Sequence, residues 1–262
     1  MSENKPYKVK ARVISNEELL PGTHLLWLEA PELAPASRPG QFVMVRCGEG
    51  FDFTLRRPFS THRVARERLA LLFKRVGRGT GWLAERQPGD QLDLLGPLGR
   101  SFSVSPESRH LLLVAGGVGI APLLFLAQRE LASGRQVTLL LGVRTASELY
   151  PARLLPEGLN LVVTTEDGSA GRRGMATDLL PELAPAADQI FACGPLPMYQ
   201  VMAEMNLRKP VQVLLEQMLG CGVGACRGCS VPTMAGLKRV CREGPVFNLE
   251  EILWSQVKPP SG

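Results

Sequence analysis

The chain has 262 residues, a formal net charge of +5, and 45% hydrophobic and 21% charged residues. This length is sufficient for a buried core and two domains, and the composition is that of an ordinary soluble globular protein. Because the Lys and Arg residues are scattered and form no long basic run, the charge gives no indication of nucleic-acid binding.

The N-terminal residues, MSENKPYKVKAR, are polar and charged. They lack the apolar core of a signal peptide, so we expect a cytoplasmic protein whose thiols stay reduced. In that compartment a disulfide framework is not expected. Clustered cysteines therefore indicate metal or redox chemistry.

Residues 1–104 have the pattern of a β domain. Short runs of mixed apolar and polar residues are separated by turn signals such as Pro21-Gly22, Pro39-Gly40 and Pro88-Gly89-Asp90. The runs predicted to be strands include Lys8–Ile14, His24–Glu29, Phe42–Arg46 and Leu69–Val76. Short strands with regular punctuation favour a small sandwich or barrel.

Residues 105–212 alternate between strand and helix patterns. The predicted strands are Leu111–Ala115, Val137–Val143, Leu161–Thr165 and Gln189–Ala192. The predicted helices include Pro122–Ser133, Ala176–Leu183 and Leu196–Asn206. This alternation predicts a doubly wound parallel sheet. The uncharged run Leu111–Ala127 is divided by three glycines and a proline, so we expect a strand, a turn and a helix there rather than a membrane span.

Residues 213–262 are rich in cysteine and glycine and carry four of the six cysteines. Their spacing is C-x4-C-x2-C-x11-C, at Cys221, Cys226, Cys229 and Cys241. Four thiolates are the usual ligands of a [2Fe–2S] cluster, and C-x4-C-x2-C with a distant fourth cysteine is the plant-type ferredoxin spacing. The pattern predicts a small iron–sulfur domain.

Glycines within this segment support that interpretation. Gly222, Gly224 and Gly228 permit a positive φ and a close backbone approach, and their N–H groups could point at the sulfurs. The alternative is a zinc site, although zinc knuckles usually supply two close cysteine pairs. Cys47 and Cys193 are interpreted as small buried hydrophobic residues.

A glycine-rich turn, AGGVGIAP, extends from Ala115 to Pro122. It follows an apolar strand and opens a helix, where free N–H groups and the helix dipole favour a bound phosphate. Pro122 suits the first helical turn. The turn is not the standard dinucleotide fingerprint, so a tight turn without a ligand remains an alternative.

Two weaker motifs lie in the β domain. In Arg56-Arg57-Pro58-Phe59-Ser60, an Arg can bind a pyrophosphate, an aromatic ring can stack on a flat ligand and a hydroxyl can hydrogen-bond it. Val76 to Thr80, VGRGT, offers backbone N–H groups and a hydroxyl. Each motif taken alone is equally compatible with an exposed Arg pair or a plain hairpin turn.

The order of these motifs resembles that of the ferredoxin–NADP reductase superfamily. The matching features are R-P-F-S, G-x-G-T, G-G-V-G-I-A-P and a later Cys193-Gly194-Pro195. The stretch GCGVGACRGC, the fourth Cys241 and the tail REGPVFNLEEI resemble the family of electron-transfer subunits of class B dihydroorotate dehydrogenase. The resemblance covers nearly the whole chain. It implies an antiparallel β-barrel that binds FAD, an α/β domain that binds a nicotinamide nucleotide and a C-terminal [2Fe–2S] domain.

The resemblance also implies roles for individual residues. For FAD, the matching residues are Arg57, Pro58, Phe59, Ser60, Leu72, Phe73, Lys74, Gly79 and Thr80. For NAD, they are Gly117, Gly119, Pro122, Cys193 and Gly194. The cluster ligands are Cys221, Cys226, Cys229 and Cys241. Phe59 departs from the pattern, because many members have an aliphatic residue or Tyr there.

These motifs together lead to a functional hypothesis. Nicotinamide exchanges a hydride, an iron–sulfur cluster passes single electrons, and a flavin does both, so the flavin must lie between them. By resemblance, the chain is an oxidoreductase subunit that moves electrons between NAD, FAD, a [2Fe–2S] cluster and the FMN of a separate subunit that oxidises dihydroorotate. The implied assembly is a heterotetramer of two plus two, active in pyrimidine biosynthesis. No catalytic residue is assigned, because little acid–base chemistry is required.

Two alternatives to this hypothesis remain open at this point. A related reductase subunit could serve another acceptor, such as a sulfide dehydrogenase or a ferredoxin-dependent system. A zinc-stabilised binding module without redox cofactors is an alternative of another class. The choice of NAD over NADP rests on the resemblance alone, since Arg172 and Arg173 could reach a 2′-phosphate or lie in a solvated loop.

Overall fold

The N-terminal region forms a closed six-stranded antiparallel barrel in the computed structural model, which describes residues 6–48, 50 and 54–258. The strand order is β1-β2-β5-β4-β3-β6. The strands are β1 (Tyr7–Leu20), β2 (Thr23–Glu29), β3 (Phe42–Val45), β4 (Arg57–Ala65), β5 (Arg68–Lys74) and β6 (Gln91–Leu98). Two short helices join them, α1 (Leu33–Ala36) and α2 (Arg78–Ala84). The β domain is therefore a barrel and not a sandwich.

Strand β5 is covered on both faces, and its residues alternate between two cores. Leu69, Leu71 and Phe73 point into the barrel core. Ala70 and Leu72 pack in the core of the following domain. Because successive side chains of a strand point to opposite faces, one strand can fill both cores. This strand therefore forms the seam between the barrel and its neighbour.

The second region forms a parallel sheet with helices, as the alternating pattern predicted. Its strands are β7 (His110–Gly116), β8 (Gln136–Val143), β9 (Asn160–Thr165), β10 (Arg172–Arg173), β11 (Gln189–Cys193) and β12 (Val211–Leu214). Its helices are α3 (Ile120–Ala132), α4 (Leu180–Leu183) and α5 (Leu196–Glu204). The chain runs from β7 outward to β10 and returns to β11 on the other side of β7. This reversal between β7 and β11 is where open parallel sheets bind ligands.

The C-terminal region combines a hairpin with irregular loops. The hairpin consists of β13 (Ser230–Thr233) and β14 (Gly236–Arg239). A further strand, β15 (Val246–Asn248), pairs antiparallel with β12 and becomes the seventh strand of the parallel sheet. The sequence pattern gave no indication of this added strand. The predicted boundary between residues 212 and 213 falls within β12, and the three-domain division stays a prediction.

Short 3-10 turns complete the chain. They are Gly117–Gly119, Ala146–Glu148, Ala152–Leu154, Ala176–Leu179, Ala184–Ala186, Leu249–Glu251 and Trp254–Gln256. The helix expected over Ala176–Leu183 is one such turn followed directly by α4. The uncharged run Leu111–Ala127 is divided as expected into strand β7, a turn and helix α3.

One hydrophobic cluster joins all three regions. It contains Met44 and Leu98 of the barrel, Val213 of the parallel sheet, and Cys229 and Phe247 of the C-terminal region. The C-terminal region is therefore packed on both other domains. Within the described residues, no helix is both long enough and apolar enough to cross a membrane. Residues 1–5 of the polar N-terminus lie outside the described residues.

Candidate functional site

A cavity of about 720 Å³ opens between the barrel, the parallel sheet and the C-terminal region, and we call it the main cavity. All nine residues predicted to bind FAD line it: Arg57, Pro58, Phe59, Ser60, Leu72, Phe73, Lys74, Gly79 and Thr80. They come from β4, β5 and the start of α2. Three separate motifs of the sequence thus meet at a single concave surface.

Apart from Pro122, the opposite wall of the main cavity was not predicted from the sequence. It includes Val118, Ala121 and Pro122 of the parallel-sheet domain, and the segment Leu214 to Leu219 after β12. That segment belongs to residues 213–262, which were predicted to form the iron–sulfur domain. Its position at the end of β12, beside the reversal of the sheet, is the signal that could have identified it as a ligand wall.

The floor of the main cavity is aromatic. Phe59 and Phe73 meet edge to face, with ring centroids 5.7 Å apart and an interplanar angle of 66°. On its far side Phe73 stacks on His24, with centroids 5.4 Å apart. These rings offer the apolar contact that a flat ring system requires, and mutual packing fixes their orientation.

The VGRGT segment lies at one end of the main cavity and is not a plain hairpin turn, because α2 begins at Arg78. The Thr80 hydroxyl accepts hydrogen bonds from the N–H groups of Val76 and Gly77, at 2.9 and 3.0 Å. Gly79 lies against Arg57, where an added Cβ would be 3.6 Å from the Arg57 Cγ. A guanidinium beside a glycine turn fits the phosphates of a dinucleotide.

The glycine turn, Gly116 to Gly119, packs directly on the end of β11. A Cβ on Gly119 would lie 2.1 Å from the Cys193 carbonyl oxygen, and one on Gly116 would lie 2.6 Å from Pro195 Cδ. Gly117 has a φ of +55° and open space around its Cα. The structure therefore brings together the predicted NAD residues of two distant segments, at the reversal of the sheet.

A side cavity of about 190 Å³ extends from the glycine turn along the parallel-sheet domain. Gly117 lines it together with Lys74, Ser147, Glu148 and Tyr150. Pro122 lines the main cavity instead. Gly119, Cys193 and Gly194 lie in the contact beneath the turn. Of the five predicted NAD residues, Gly117 and Pro122 therefore line a cavity, and the other three support the turn from beneath.

The electrostatics of the side cavity are dominated by Glu148. Its carboxylate pairs with Arg144 at 2.6 Å and with Lys74 at 3.4 Å. The hydrogen bond from Arg144 lowers the pKa of Glu148 to about 2, so the carboxylate is ionised at neutral pH. Arg172, which was considered for a 2′-phosphate, pairs with Glu182 at 2.5 Å.

Burial dominates the ionisable groups under the glycine turn. Cys193 is completely enclosed, and burial raises its pKa well above the usual thiol value. The Tyr199 hydroxyl accepts from the Gly194 N–H at 2.9 Å and donates to the Leu214 carbonyl at 2.6 Å. Cys193 is thus a neutral buried thiol beside a satisfied tyrosine, in agreement with its interpretation as a small buried residue.

Glu216 is a cavity residue that the sequence analysis missed. Its side chain is accessible to solvent because it lines the main cavity. Protein atoms nevertheless surround the carboxyl group closely, and this desolvation raises its pKa. Glu216 is therefore a desolvated carboxyl group inside an open cavity. A ligand in the cavity would contact it.

The four clustered cysteines lie in two pairs. The Cys226 N–H donates to Cys221 Sγ at 3.4 Å, and the Cys229 thiol donates to Cys241 Sγ at 3.3 Å. A [2Fe–2S] cluster takes four cysteines, two on each iron, so two pairs fit it. Within the described part of the chain, no group of three or more His, Cys, Asp or Glu side chains could hold one metal ion.

Backbone N–H groups point at these sulfurs. Although burial opposes the shift, hydrogen bonds from the N–H groups of Cys226, Val223 and Ala225 lower the pKa of Cys221 to about 6. The Gly224 N–H also hydrogen-bonds Cys241, but burial and the hydrogen bond with Cys229 outweigh it and raise the pKa of Cys241 to about 12. Of Gly222, Gly224 and Gly228, Gly224 donates its N–H to a cysteine of the cluster segment. The residues that donate to Cys221 lie within two positions of Gly224 in the sequence.

The two cysteine pairs differ in exposure. Cys229 and Cys241 are buried, whereas Cys221 is half-buried and Cys226 is exposed. The loop that carries the first three cysteines, residues 220–229, is anchored at Gly222. That residue has a φ of +73° and lies so close to the barrel that a Cβ would be 2.6 Å from Met44 Cγ. The loop thus holds one pair inside the protein and presents the other at the surface.

Comparison with known proteins agrees with this architecture. Residues 216–253 match the family model for the iron–sulfur cluster binding domain of dihydroorotate dehydrogenase B. Residues 113–204 match the model for the oxidoreductase NAD-binding domain. The chain superposes on the solved structure of an NADH-dependent reduced ferredoxin-NADP oxidoreductase with a TM-score of 0.84 at 30% identity. The match covers 94% of this chain and 90% of that one.

Curated relatives extend over nearly the whole chain. The dihydroorotate dehydrogenase B (NAD+) electron transfer subunit of Desulforamulus reducens is 40% identical over 93% of this chain and 97% of its own. The subunit of the same name from Caldanaerobacter subterraneus subsp. tengcongensis is 38% identical over 95% of this chain and 99% of its own. The ferredoxin reductase of carbazole 1,9a-dioxygenase shares the fold, with a TM-score of 0.68.

The barrel, the parallel sheet and the paired cysteines define an iron–sulfur flavoprotein oxidoreductase of the ferredoxin-reductase type. Its cofactors are FAD and a [2Fe–2S] cluster, with NAD as co-substrate. The chain belongs to the family of dihydroorotate dehydrogenase B (NAD+) electron transfer subunits. It transfers electrons and acts with a separate catalytic subunit. The zinc-stabilised module and the subunit for another acceptor are not favoured.

Proposed function

We propose that this chain carries electrons between NAD and the FMN of a catalytic subunit that oxidises dihydroorotate to orotate. The names of the relatives support dihydroorotate dehydrogenase as the enzyme to which the chain contributes. In this proposal the complex contains two copies of each subunit. Its net reaction reduces NAD⁺ in the cytoplasm, during pyrimidine biosynthesis.

The observation that carries the proposal is the continuity between the main cavity and the cluster loop. Leu214 to Leu219 line the cavity, and Cys221 follows two residues later. Because consecutive Cα atoms are about 3.8 Å apart, the Cα of Cys221 lies within about 8 Å of the Cα of Leu219. A group in the cavity and a group on the cysteines would therefore be close neighbours.

When bound, a flavin supplies the exchange between a hydride and single electrons, and the [2Fe–2S] cluster supplies a one-electron port. The protein's task is binding and orientation. Arg57 and the backbone at Gly79 would bind the flavin phosphates, and Phe59 would contact its rings. Pro122 and Gly117 would position the nicotinamide from the opposite side. Because two single electrons and one proton are equivalent to the hydride, the exchange requires the gain or loss of one proton, and little acid–base chemistry is required of the protein.

The exposed cysteine pair supports an exit to a partner subunit at that surface. Cys226 is exposed, and the apolar side chain of Val223, near it in the sequence, has an exposed fraction of 41%. Apolar surface beside an electron port suits a protein partner, because burial of that surface stabilises the complex. The catalytic subunit would therefore dock on the Cys226 side of the cluster loop.

A Cys226→Ser variant tests the order of transfer. We expect the variant to keep NADH oxidation by an artificial dye that takes electrons from the flavin, and to lose transfer to the partner subunit by at least about 100-fold, since an exit ligand is missing. Stopped-flow absorbance measures both steps. A Cys47→Ala variant, which removes a thiol outside the cluster, should keep both. Equal loss of both activities in Cys226→Ser would contradict an exit role for the cluster.

Purification of the complex from the native host tests the partner. We expect an FMN-containing subunit to co-purify, a two-plus-two mass by light scattering, and NAD⁺ reduction that depends on dihydroorotate. A complex that holds both flavins and the cluster but lacks this activity would overturn the assignment to dihydroorotate. A different co-purified acceptor would identify the related reductase function instead.

A further inference from the structure

His62 is a fully buried side chain on strand β4, two residues beyond Ser60 in the wall of the main cavity. The pairing of β4 with β5 shifts at this point: Thr61 pairs with Leu71, and Arg63 pairs with Ala70. His62 is therefore the extra residue of a β-bulge. Bulges bend a strand and redirect a side chain, and this one turns the imidazole toward the parallel-sheet domain.

Both ring nitrogens of His62 bind groups of that domain. Nδ1 lies 2.9 Å from the Ala121 carbonyl oxygen, and Nε2 lies 3.0 Å from the Tyr150 hydroxyl. Because a carbonyl oxygen can only accept, Nδ1 carries the proton. Nε2 then has a lone pair and accepts from Tyr150. The neutral ring thus satisfies both partners with one donor and one acceptor.

The two partners of His62 lie in the walls of two neighbouring cavities. Ala121 belongs to the first turn of α3, directly after the glycine turn, and lines the main cavity. Tyr150 lines the side cavity together with Gly117. One side chain of the flavin-bearing strand therefore holds both walls of the nucleotide site.

Other polar contacts between the two domains are less buried, and they include a half-buried hydrogen bond from the Arg63 guanidinium to the Leu154 carbonyl oxygen. Lys74 pairs with Glu148 at 3.4 Å and Arg153 with Glu17 at 3.1 Å, and all four side chains are at least 30% exposed. Exposed ion pairs contribute little, because water competes for both charges. A buried hydrogen bond to an imidazole is costly to lose, since it leaves a polar group without a partner. Because His62 is fully buried, it is well suited to fix the separation of the domains.

The geometry points to His62 as a positioning residue that sets the approach of the nicotinamide to the flavin, by tying the glycine turn and α3 to strand β4. This role depends on the proposed transfer of a hydride between NADH and a flavin in the main cavity. His62 does not line that cavity and so acts through Ala121 and Tyr150. A displacement of about 1 Å at a reacting centre can cost up to about 100-fold in rate.

Three variants separate the two hydrogen bonds. His62→Leu removes both and keeps an apolar side chain in the buried space. His62→Asn places an amide N–H near the position of Nδ1, so it can still donate to Ala121 but cannot reach Tyr150. Tyr150→Phe removes the other bond alone. Thr61→Val is the matched control, because Thr61 is buried on the same strand and its hydroxyl has no hydrogen-bond partner among the described residues.

The first measurement is the rate of flavin reduction by NADH in single-turnover experiments on the FAD-loaded protein. We expect His62→Leu to lower this rate about tenfold and to raise the isotope effect with C4-deuterated NADH. The dissociation constant of NADH should change less than about threefold. His62→Asn and Tyr150→Phe should fall between wild type and His62→Leu. Thr61→Val should match wild type.

The second measurement is amide hydrogen exchange over residues 116–124, in the FAD-loaded protein before nucleotide is added. Exchange there should accelerate in His62→Leu and stay unchanged in Thr61→Val. Wild-type rate, isotope effect and exchange in a flavin-loaded His62→Leu would overturn the proposal. If His62→Leu loses FAD or unfolds, the proposal would be overturned by wild-type flavin reduction and hydrogen exchange in both His62→Asn and Tyr150→Phe. If wild-type protein takes no hydride from NADH, the proposed function fails. Hydrogen exchange then still tests whether His62 holds the glycine turn and α3 against strand β4.

Discussion

The wall of the main cavity and the cluster loop differ in how their backbones are supported. In the wall, residues 57–60 of β4 pair with β3 and residues 72–74 of β5 pair with β2, within a closed barrel. Residues 220–229 of the cluster loop form no strand or helix and pass from the surface to the core within a few residues. The loop relies on side-chain and backbone contacts, such as that of Gly222 with Met44.

This difference determines where each site is vulnerable. In the cavity wall the ladder hydrogen bonds hold the backbone, so a changed side chain alters ligand binding more than it alters the fold. In the cluster loop a single close contact positions several ligands at once. A substitution at that contact should affect stability and cluster content together.

The largest effect is therefore expected for Gly222→Ala in the loop. The φ of +73° costs an alanine about 1 kcal/mol, and the overlap with buried Met44 adds about 1–3 kcal/mol. We expect the free energy of unfolding of the cluster-free protein to fall by about 2–4 kcal/mol. Chemical denaturation measures this change, and iron analysis of the purified protein should show reduced cluster content.

Gly236→Ala is the control for that substitution. Gly236 also has a positive φ, of +90°, but an added Cβ there would meet nothing within 4 Å. Only the conformational cost of about 1 kcal/mol should remain, and the iron content should be normal. If the two variants were destabilised equally, the contact between Gly222 and Met44 would not be the anchor of the loop.

The residues of these two regions differed in how far the sequence could predict their surroundings. The flavin residues were assigned as a set only through the resemblance, because each motif taken alone was weak, and all nine line one cavity. The cluster spacing predicted four cysteines in one site, and the structure arranges them as two pairs. Their roles as ligands stay predictions.

The features that the sequence could not predict depend on contacts between distant segments. Strand β15 joins the parallel sheet only because β12 is left with a free edge, and a three-residue strand has no pattern of its own. The bulge at His62 depends on the register of β4 against β5. Glu216 becomes a cavity residue only when β12 ends beside the barrel. Local periodicity carries no information about any of these.

The next largest effect is expected on the barrel side, for Arg57→Ala. Arg57 lines the main cavity beside Gly79, where the flavin phosphates are proposed to bind. A hydrogen bond from a charged group contributes about 1.5–3 kcal/mol, so FAD affinity should fall roughly 10- to 100-fold. Titration of flavin-free protein by fluorescence measures this. The stability of the flavin-free protein should change by less than about 0.5 kcal/mol.

Arg56→Ala is the control for Arg57→Ala, because it removes the neighbouring guanidinium. The Arg56 guanidinium donates to both carboxylate oxygens of Asp93 at 2.7 Å, and both side chains are half-buried. We expect this variant to lose stability and to keep its FAD affinity. The opposite outcome, weak FAD binding in Arg56→Ala and normal binding in Arg57→Ala, would show that the neighbouring Arg and not Arg57 contacts the phosphates.

The smallest effect is a pH dependence of the free energy of unfolding, which distinguishes two contacts that the barrel makes with the rest of the chain. The contact between Gly222 and Met44 is apolar, whereas the contact with the parallel-sheet domain contains His62. Complete burial lowers the pKa of His62 to about 3, against the opposing hydrogen bond to Ala121 and with a small additional contribution from the charge of Arg63. Tyr150 also faces the ring, and burial raises its pKa, so it stays neutral.

Because the folded protein resists protonation of His62, the unfolded chain binds more protons between pH 6.5 and about 3. Stability should therefore fall as the pH is lowered below 6.5, by roughly 1.4 kcal/mol per pH unit. Denaturant unfolding between pH 7.5 and 5 measures the slope above the range where Glu148 titrates. The raised pKa of Glu216 contributes with the opposite sign, so the slope is taken as wild type minus His62→Asn. An equal slope in the two proteins would mean that the His62 ring is not held neutral in the interface.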